Sequence, residues 1–210
     1  MKVLLINGSS NQNGCTYTAL NEVATTLEKE GIETEILQLG NKPLRDCCGC
    51  LGCKNTGKCV FDDDMVNEII EKAKTFDGFI FGTPVYYAHP TGRILSLLDR
   101  VFFAGSSSFA YKPASAIVSA RRAGTTASFD VLNKYFTINN MPVVSSQYWN
   151  NVHGHTSEDV QKDLEGLQIM RTLGRNMAWL LKCIELGKQN GLVKPENIEE
   201  RIRTNFINSN

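Results

Sequence analysis

The chain has 210 residues, with 22 Lys+Arg against 22 Asp+Glu and a formal net charge of zero. That balance excludes a broad basic surface for nucleic acid or an anionic membrane, and the length suits one sizeable core better than two. The opening "MKVLLINGSS" has one Lys, then only four apolar residues before Asn7, too short for a secretion signal or a membrane span. A cytoplasmic protein is therefore expected, with neither nucleic acid nor membrane as a partner.

Five short apolar runs alternate with segments of helical period, which predicts an α/β fold built on one parallel sheet. "KVLLIN" (2–7) is the first predicted strand. The polar loop "GSSNQNGCTYT" follows, and Leu20, Val23, Ala24 and Leu27 then mark a helix that ends at Gly31. In the loop, Gly8 and Gly14 allow tight turning, and Ser9, Ser10, Asn11, Asn13 and Thr16 supply neutral donors. A helix N-terminus behind such a loop is an anion site that needs no lysine and suits a phosphomonoester. It is neither the dinucleotide fingerprint nor the nucleotide-triphosphate loop; the alternative is an ordinary strand-to-helix turn.

"TEILQL" (34–39) alternates apolar and polar residues, as a half-exposed edge strand does. "CCGCLGCKNTGKC" (47–59) then places five of the seven cysteines in one loop. In a cytosolic chain such clustering points to metal or redox chemistry rather than structural disulfides. The spacing is Cys47-x2-Cys50-x2-Cys53-x5-Cys59, with Cys48 extra. Its start matches the thiolate run of iron–sulfur ferredoxins. Four-thiolate zinc, a thiol–disulfide switch and metal-free thiols are the competing readings. Cys183, in an apolar helical pattern, is expected in the core.

"DDDMVNEIIEKAK" predicts a second helix, its three Asp suited to the positive end of the dipole. "GFIFG" (78–82) is the third strand. The loop after it brings Pro84, Val85, Tyr86 and Tyr87, flat apolar surface at the mouth of the sheet, against the alternative that the tyrosines close the core. A third helix carries Ile94, Leu97, Leu98 and Val101. "SAIVSA" (115–120) is the fourth strand, and a fourth helix follows with Phe129, Leu132 and Phe136. "PVVSS" (142–146) is the fifth strand. Ser146, Trp149, Asn150 and His153 are placed either over the site or as caps of the long helix from Leu164 to Ile184. A short helix is expected from Pro195 onward. In open sheets of this kind ligands bind beyond the carboxyl ends of the strands.

"GSSNQNGCT", the cysteines before "GKCVFDDDM", and "DGFIFGTPVYYAHPTGRILSLLDR" together resemble the flavodoxin-like NADPH-dependent FMN reductase family, in its iron–sulfur flavoprotein branch. The resemblance covers roughly residues 1–146. It implies a doubly wound five-stranded parallel sheet in order 2-1-3-4-5 within one FMN-binding domain over 1–210. Residues 47–59 are then a Cys-rich loop and 156–210 a C-terminal helical extension. By the same resemblance Ser9, Asn11, Gly14 and Thr16 hold the FMN phosphate, and Pro84, Val85, Tyr86 and Tyr87 line the isoalloxazine. Cys15 and Ser10 depart from the residues common in that loop. "SARRAGTT" (119–126) becomes the third flavin segment, with Ser119, Arg121, Arg122 and Gly124. Its arginines face the flavin, the 2′-phosphate of NADPH, or simply solvent and Asp130. The cysteine spacing matches the branch's [4Fe–4S] site, at Cys47, Cys50, Cys53 and Cys59, near a neighbouring subunit's flavin.

The activity implied is an oxidoreductase that takes hydride from NAD(P)H and reduces a quinone, a flavin or a similar acceptor. The alternatives are an electron carrier fed by ferredoxin and a flavin-free thiol or zinc regulatory module. Apolar residues along Tyr86–Leu98 and the final helix suggest a homodimer or homotetramer.

Overall fold

In the computed structural model, which describes residues 1–196, 198–200, 202 and 204, the chain opens with β1 (Lys2–Asn7), α1 (Cys15–Lys29) and β2 (Glu33–Gln38). A long loop holds a single 3-10 turn (Gly52–Lys54) and leads to α2 (Val66–Ala73) and β3 (Gly78–Tyr86). The two-residue β4 (His89–Pro90), α3 (Gly92–Phe109), β5 (Ala114–Ala120) and α4 (Thr125–Ile138) follow. The last elements are β6 (Asn151–His153), α5 (Ser157–Lys162) and α6 (Leu164–Gln189).

Five strands pair in parallel in the order β2-β1-β3-β5-β6, and β4 folds back antiparallel on the end of β3. This is the expected flavodoxin-like arrangement. Every residue of β1 after Lys2 is buried, as an inner strand covered on both faces requires. Successive side chains point to opposite faces, so Val3 and Leu5 join α1 and α6 on one side. Leu4 and Ile6 join α2, α3 and α4 on the other. That second face carries an aromatic cluster, with Phe109 centred 4.8 Å from Phe79 and 4.9 Å from Phe102. The edge strand β2 is only partly buried, as its alternation implies.

The fifth strand position departs from the sequence reading. Residues 142–146 touch the sheet only through a bridge from Val143 to Ala114. Pro142 cannot donate to a ladder, so its carbonyl accepts from Ala114 N–H while Val144 N–H returns to the Ala114 carbonyl. The chain then loops outward and rejoins the edge at β6, where Val118 faces Asn151. Two buried side chains bridge the gap: Ser115 Oγ donates to the Val144 carbonyl (2.8 Å) and accepts from Asn150 Nδ2 (2.9 Å).

Two further expectations change. Cys183 is exposed, because α6 turns Met177, Ala178 and Leu181 inward and leaves Trp179, Lys182 and Cys183 outside. Leu97 and Leu98 are fully buried, so only the tyrosine end of the Tyr86–Leu98 segment offers apolar surface. The helix expected after Pro195 falls largely outside the described residues.

Ser115→Ala should leave Asn150 and the Val144 carbonyl short of a partner and cost about 1–3 kcal/mol in urea unfolding. Ser146→Ala, in the partly exposed outward loop, should stay within about 0.5 kcal/mol.

Candidate functional site

The loops after β1, β3, β5 and β6 meet at the carboxyl ends of the strands around a cleft of about 480 Å³. Ser9, Asn11, Asn13, Gly14 and Thr16 form one wall, and Pro84, Val85 and Tyr86 form another. Ser119 and Arg121 come from the loop after β5. Ten of the fourteen residues expected at the site are thus brought together.

The wall from β1 is held by its own polar groups. Asn7 Oδ1 accepts from Ser9 N–H, Ser9 Oγ from Asn11 N–H, and Asn11 Oδ1 from Asn13 N–H, at 3.1, 3.1 and 3.3 Å. Helix α1 then starts at the cleft with Gly14 as its N-cap, no side-chain cap and no acidic residue in the first turn. Its positive end is therefore left facing the cleft, where an anion would complete it. Thr16 Oγ1 lies 2.8 Å from Ser119 Oγ, tying the first loop to the third.

The other four residues stand apart from the lining. Ser10 is exposed, but its hydroxyl lies 2.7 Å from the Tyr86 hydroxyl and so acts through that side chain. Tyr87 projects fully into solvent from a backbone at φ 62°, at the turn into β4. Arg122 is exposed and does not line the cleft. Gly124 caps α4 at φ 89°, and a Cβ there would sit 2.9 Å from Val85 Cγ1. Its role is to let the loop close against the aromatic wall.

The sequence reading missed the fourth wall, Gly154, His155, Thr156 and Ser157. Its signal was present as the helix-start pattern at Thr156: the Thr156 hydroxyl accepts from Asp159 N–H in a capping box. Of the residues placed beside it, Asn150 is buried against β5 and His153 N–H donates to Asp163 (2.7 Å); neither lines the cleft. Cys15, whose thiol donates to the Gly154 carbonyl at 3.5 Å, joins this wall to α1, and burial pushes the thiol's pKa up.

A second hollow lies against α3. Cys47, Cys48, Cys50, Cys53 and Cys59 all line it, with Leu51, Val60, Phe61, Phe103 and Arg100. All seven cysteines are free. Burial, reinforced by the charge of Cys50, Cys59 and Cys47, holds Cys53 above the ordinary thiol range against an opposing backbone hydrogen bond. Among the described residues no three His, Cys, Asp or Glu side chains converge closely enough to hold a metal ion as they stand. The donor set is nonetheless soft, five thiols with Asp46 and no histidine, which suits iron–sulfur or zinc chemistry.

Residues 1–156 match the family model described as NADPH-dependent FMN reductase. The chain belongs to that family. Within it the chain groups with the iron–sulfur flavoproteins. It is 33% identical over 195 residues to an iron–sulfur flavoprotein of Methanocaldococcus jannaschii, covering 88% of this chain and 100% of the relative. A second iron–sulfur flavoprotein, from Methanosarcina thermophila, is 25% identical over 189 residues, with 88% and 97% covered. Among solved structures, an archaeal flavodoxin superposes with a TM-score of 0.57 at 14% identity, covering 87% of this chain and 99% of its own. That likeness supports the fold. Family membership makes the protein a flavoprotein oxidoreductase, and no helix among the described residues is long and apolar enough to cross a membrane.

The Tyr86 phenol feels two opposed effects: burial pushes its pKa up, while hydrogen bonds from Ser10 and Ser9 outweigh it and leave the pKa below the ordinary value. Ser10→Ala removes one of the lowering bonds and keeps the burial. Absorbance titration of the phenolates should show Tyr86 ionising at higher pH in that variant, and an unchanged titration would break the assignment.

Proposed function

We propose that the protein is an FMN-dependent electron-transfer oxidoreductase whose cysteine hollow holds a [4Fe–4S] cluster. The observation that carries the flavin reading is the N-terminus of α1, uncapped by any side chain and facing a cleft lined by Ser9, Asn11, Asn13 and Thr16. That chemistry suits the doubly charged end of a phosphomonoester without a lysine. Pro84, Val85 and Tyr86 offer the apolar wall for a flat ring, and Arg121 brings positive charge to the cleft edge. FMN, when bound, supplies the capacity to take up an electron pair and release it singly or together. The chain's own part is to orient the ring, neutralise the phosphate and limit water at the cleft.

For the hollow, Cys47, Cys50, Cys53 and Cys59 are the proposed ligands, with the shared lining and the iron–sulfur flavoprotein relatives in support. A cluster there supplies single-electron capacity, which fits a one-electron donor such as ferredoxin. NAD(P)H as hydride donor is the second reading, favoured by Arg121, whose guanidinium suits the 2′-phosphate of NADPH. A quinone, a free flavin or a similar small molecule is the acceptor in either case. Free thiols throughout suit a reducing, cytoplasmic setting. Exposed Tyr87, Trp179 and Leu186 support a homodimer or homotetramer.

Anaerobic titration of the flavin-free protein should saturate near one FMN per chain. Thr16→Val should weaken binding by about tenfold or more, the scale of one hydrogen bond to a charged group. Absence of flavin binding would overturn the reading. Iron and sulfide should each approach about four per chain. Cys59→Ala should abolish both and Cys48→Ala should retain them; stoichiometric zinc in place of iron would refute the cluster. Stopped-flow reduction by NADPH and by a reduced one-electron carrier separates the two donors.

A further inference from the structure

Among the described residues Arg100 is the most deeply buried charged residue, 2% exposed where the cysteine loop covers α3. Nothing about the flavin cleft uses it. Its guanidinium is spent almost entirely on the cysteine loop. Nε donates to Cys59 Sγ at 3.3 Å, and Nη2 to the Phe61 carbonyl at 3.3 Å. Nη1 donates to the Arg45 carbonyl at 3.3 Å and to the buried carboxylate of Asp64. Arg45 lies just before the first cysteine of the loop, and Cys59, Phe61 and Asp64 lie at and beyond the last. One side chain therefore grips both ends of the loop at once.

The grip is reinforced from outside. The Phe61 ring lies 4.9 Å from the Arg45 guanidinium carbon and 5.7 Å from that of Arg100, both within cation–π range. Arg45 also pairs with Asp63 at 3.0 Å. Between these anchors the loop has one short 3-10 turn and no buried residue, so little hydrophobic burial defines its shape. Only a planar fork with several fixed donors can serve a sulfur, two carbonyls and a carboxylate together; a lysine ammonium cannot.

We infer that Arg100 is the positioning residue of the thiol hollow. It clasps the two ends of the loop before any metal is bound and fixes Cys59 by its sulfur, leaving Cys47, Cys48 and Cys50 free to adjust around it. The clasp stands on the geometry alone. Its consequence for loading rests on the cluster reading: a donor on a ligating sulfur favours the reduced cluster and raises its potential.

The test uses the metal-free, FMN-loaded protein and two variants, Arg100→Lys, which keeps a charge for Asp64, and Arg100→Met with Asp64→Asn, which removes both buried charges. Amide exchange across residues 46–60 and alkylation of Cys59 relative to Cys47 are read by mass spectrometry. Iron and sulfide are then supplied, and bound iron and the cluster potential are measured. In wild type the loop should be protected and Cys59 slower than Cys47. Both variants should exchange about tenfold faster across the loop as the local opening energy falls, with β1 and α1 unchanged. Cys59 should then react faster, iron uptake should fall, and any cluster formed should have a lower potential.

A wild-type loop that exchanges like unfolded chain, or variants that keep FMN, loop protection and Cys59 reactivity unchanged, would overturn the clasp. If wild type takes up no iron while the variants loosen, the cluster reading falls and the clasp stands. If iron loads equally in all three proteins with the loop unmoved, the clasp falls and the cluster stands.

Discussion

The cleft depends on one close approach of backbone to backbone. Where β1 and β3 end side by side, Gly8 N–H donates to the Gly82 carbonyl at 2.8 Å. A Cβ on Gly8 would sit 2.9 Å from that same oxygen, and one on Gly82 would strike Leu20 and Thr16 at 2.9 Å. The two glycines let the first and third loops leave the sheet in contact and let α1 settle directly on β3. The Thr91 hydroxyl completes the junction by donating to the Gly8 carbonyl at 3.1 Å while accepting from Ile94 N–H at the start of α3. The polar wall, the aromatic wall and the free end of α1 take their relative positions from this junction.

The molecule handles charge in two contrasting ways. Around the cleft the polar groups are neutral hydroxyls, amides and a helix terminus, with Arg121 at the edge, and several of them are held by hydrogen bonds to one another. On the far side of α3 full charges are buried instead, and Asp64 serves twice. One carboxylate oxygen accepts from Val66 N–H at the start of α2, and the other faces Arg100. A buried ion pair contributes little net stability, but it is costly to break, which makes it suited to fixing a loop that has few apolar residues to hold it.

The sequence made the sheet legible because parallel strands are continuous apolar runs and the helices between them repeat with a clear period. It failed where a strand is only three residues long. Asn151–His153 carries no pattern, while the β-branched run at 142–146 looks like a strand and yet makes one bridge. Cys183 shares its neighbourhood with Met177 and Leu181 but lies on the opposite side of the helix, a difference that tertiary packing against α1 decides. At the site, loops rich in Ser, Asn and Gly gave themselves away, whereas the segment from Gly154 carries only the Thr156-Ser157-Glu158-Asp159 pattern of a helix start. Arg100 could not be found at all: it follows Asp99, an adjacent charged pair that looks like the solvent side of a helix, and its main partner is 36 positions away. The triple Asp, read as serving the helix dipole, concealed that partner.

The cleft and the thiol hollow have no lining residue in common. The cleft is made by the ends of the central strands, the hollow by an excursion between β2 and α2 pinned to the outside of α3. Mutational drift can therefore act on them separately. A lineage could shed its cysteines, or lengthen the excursion, without disturbing a strand or the free end of α1. The reverse is not symmetrical. The excursion rests on α3, α3 begins at the Thr91 junction, and a chain that lost that junction would lose the support of both hollows.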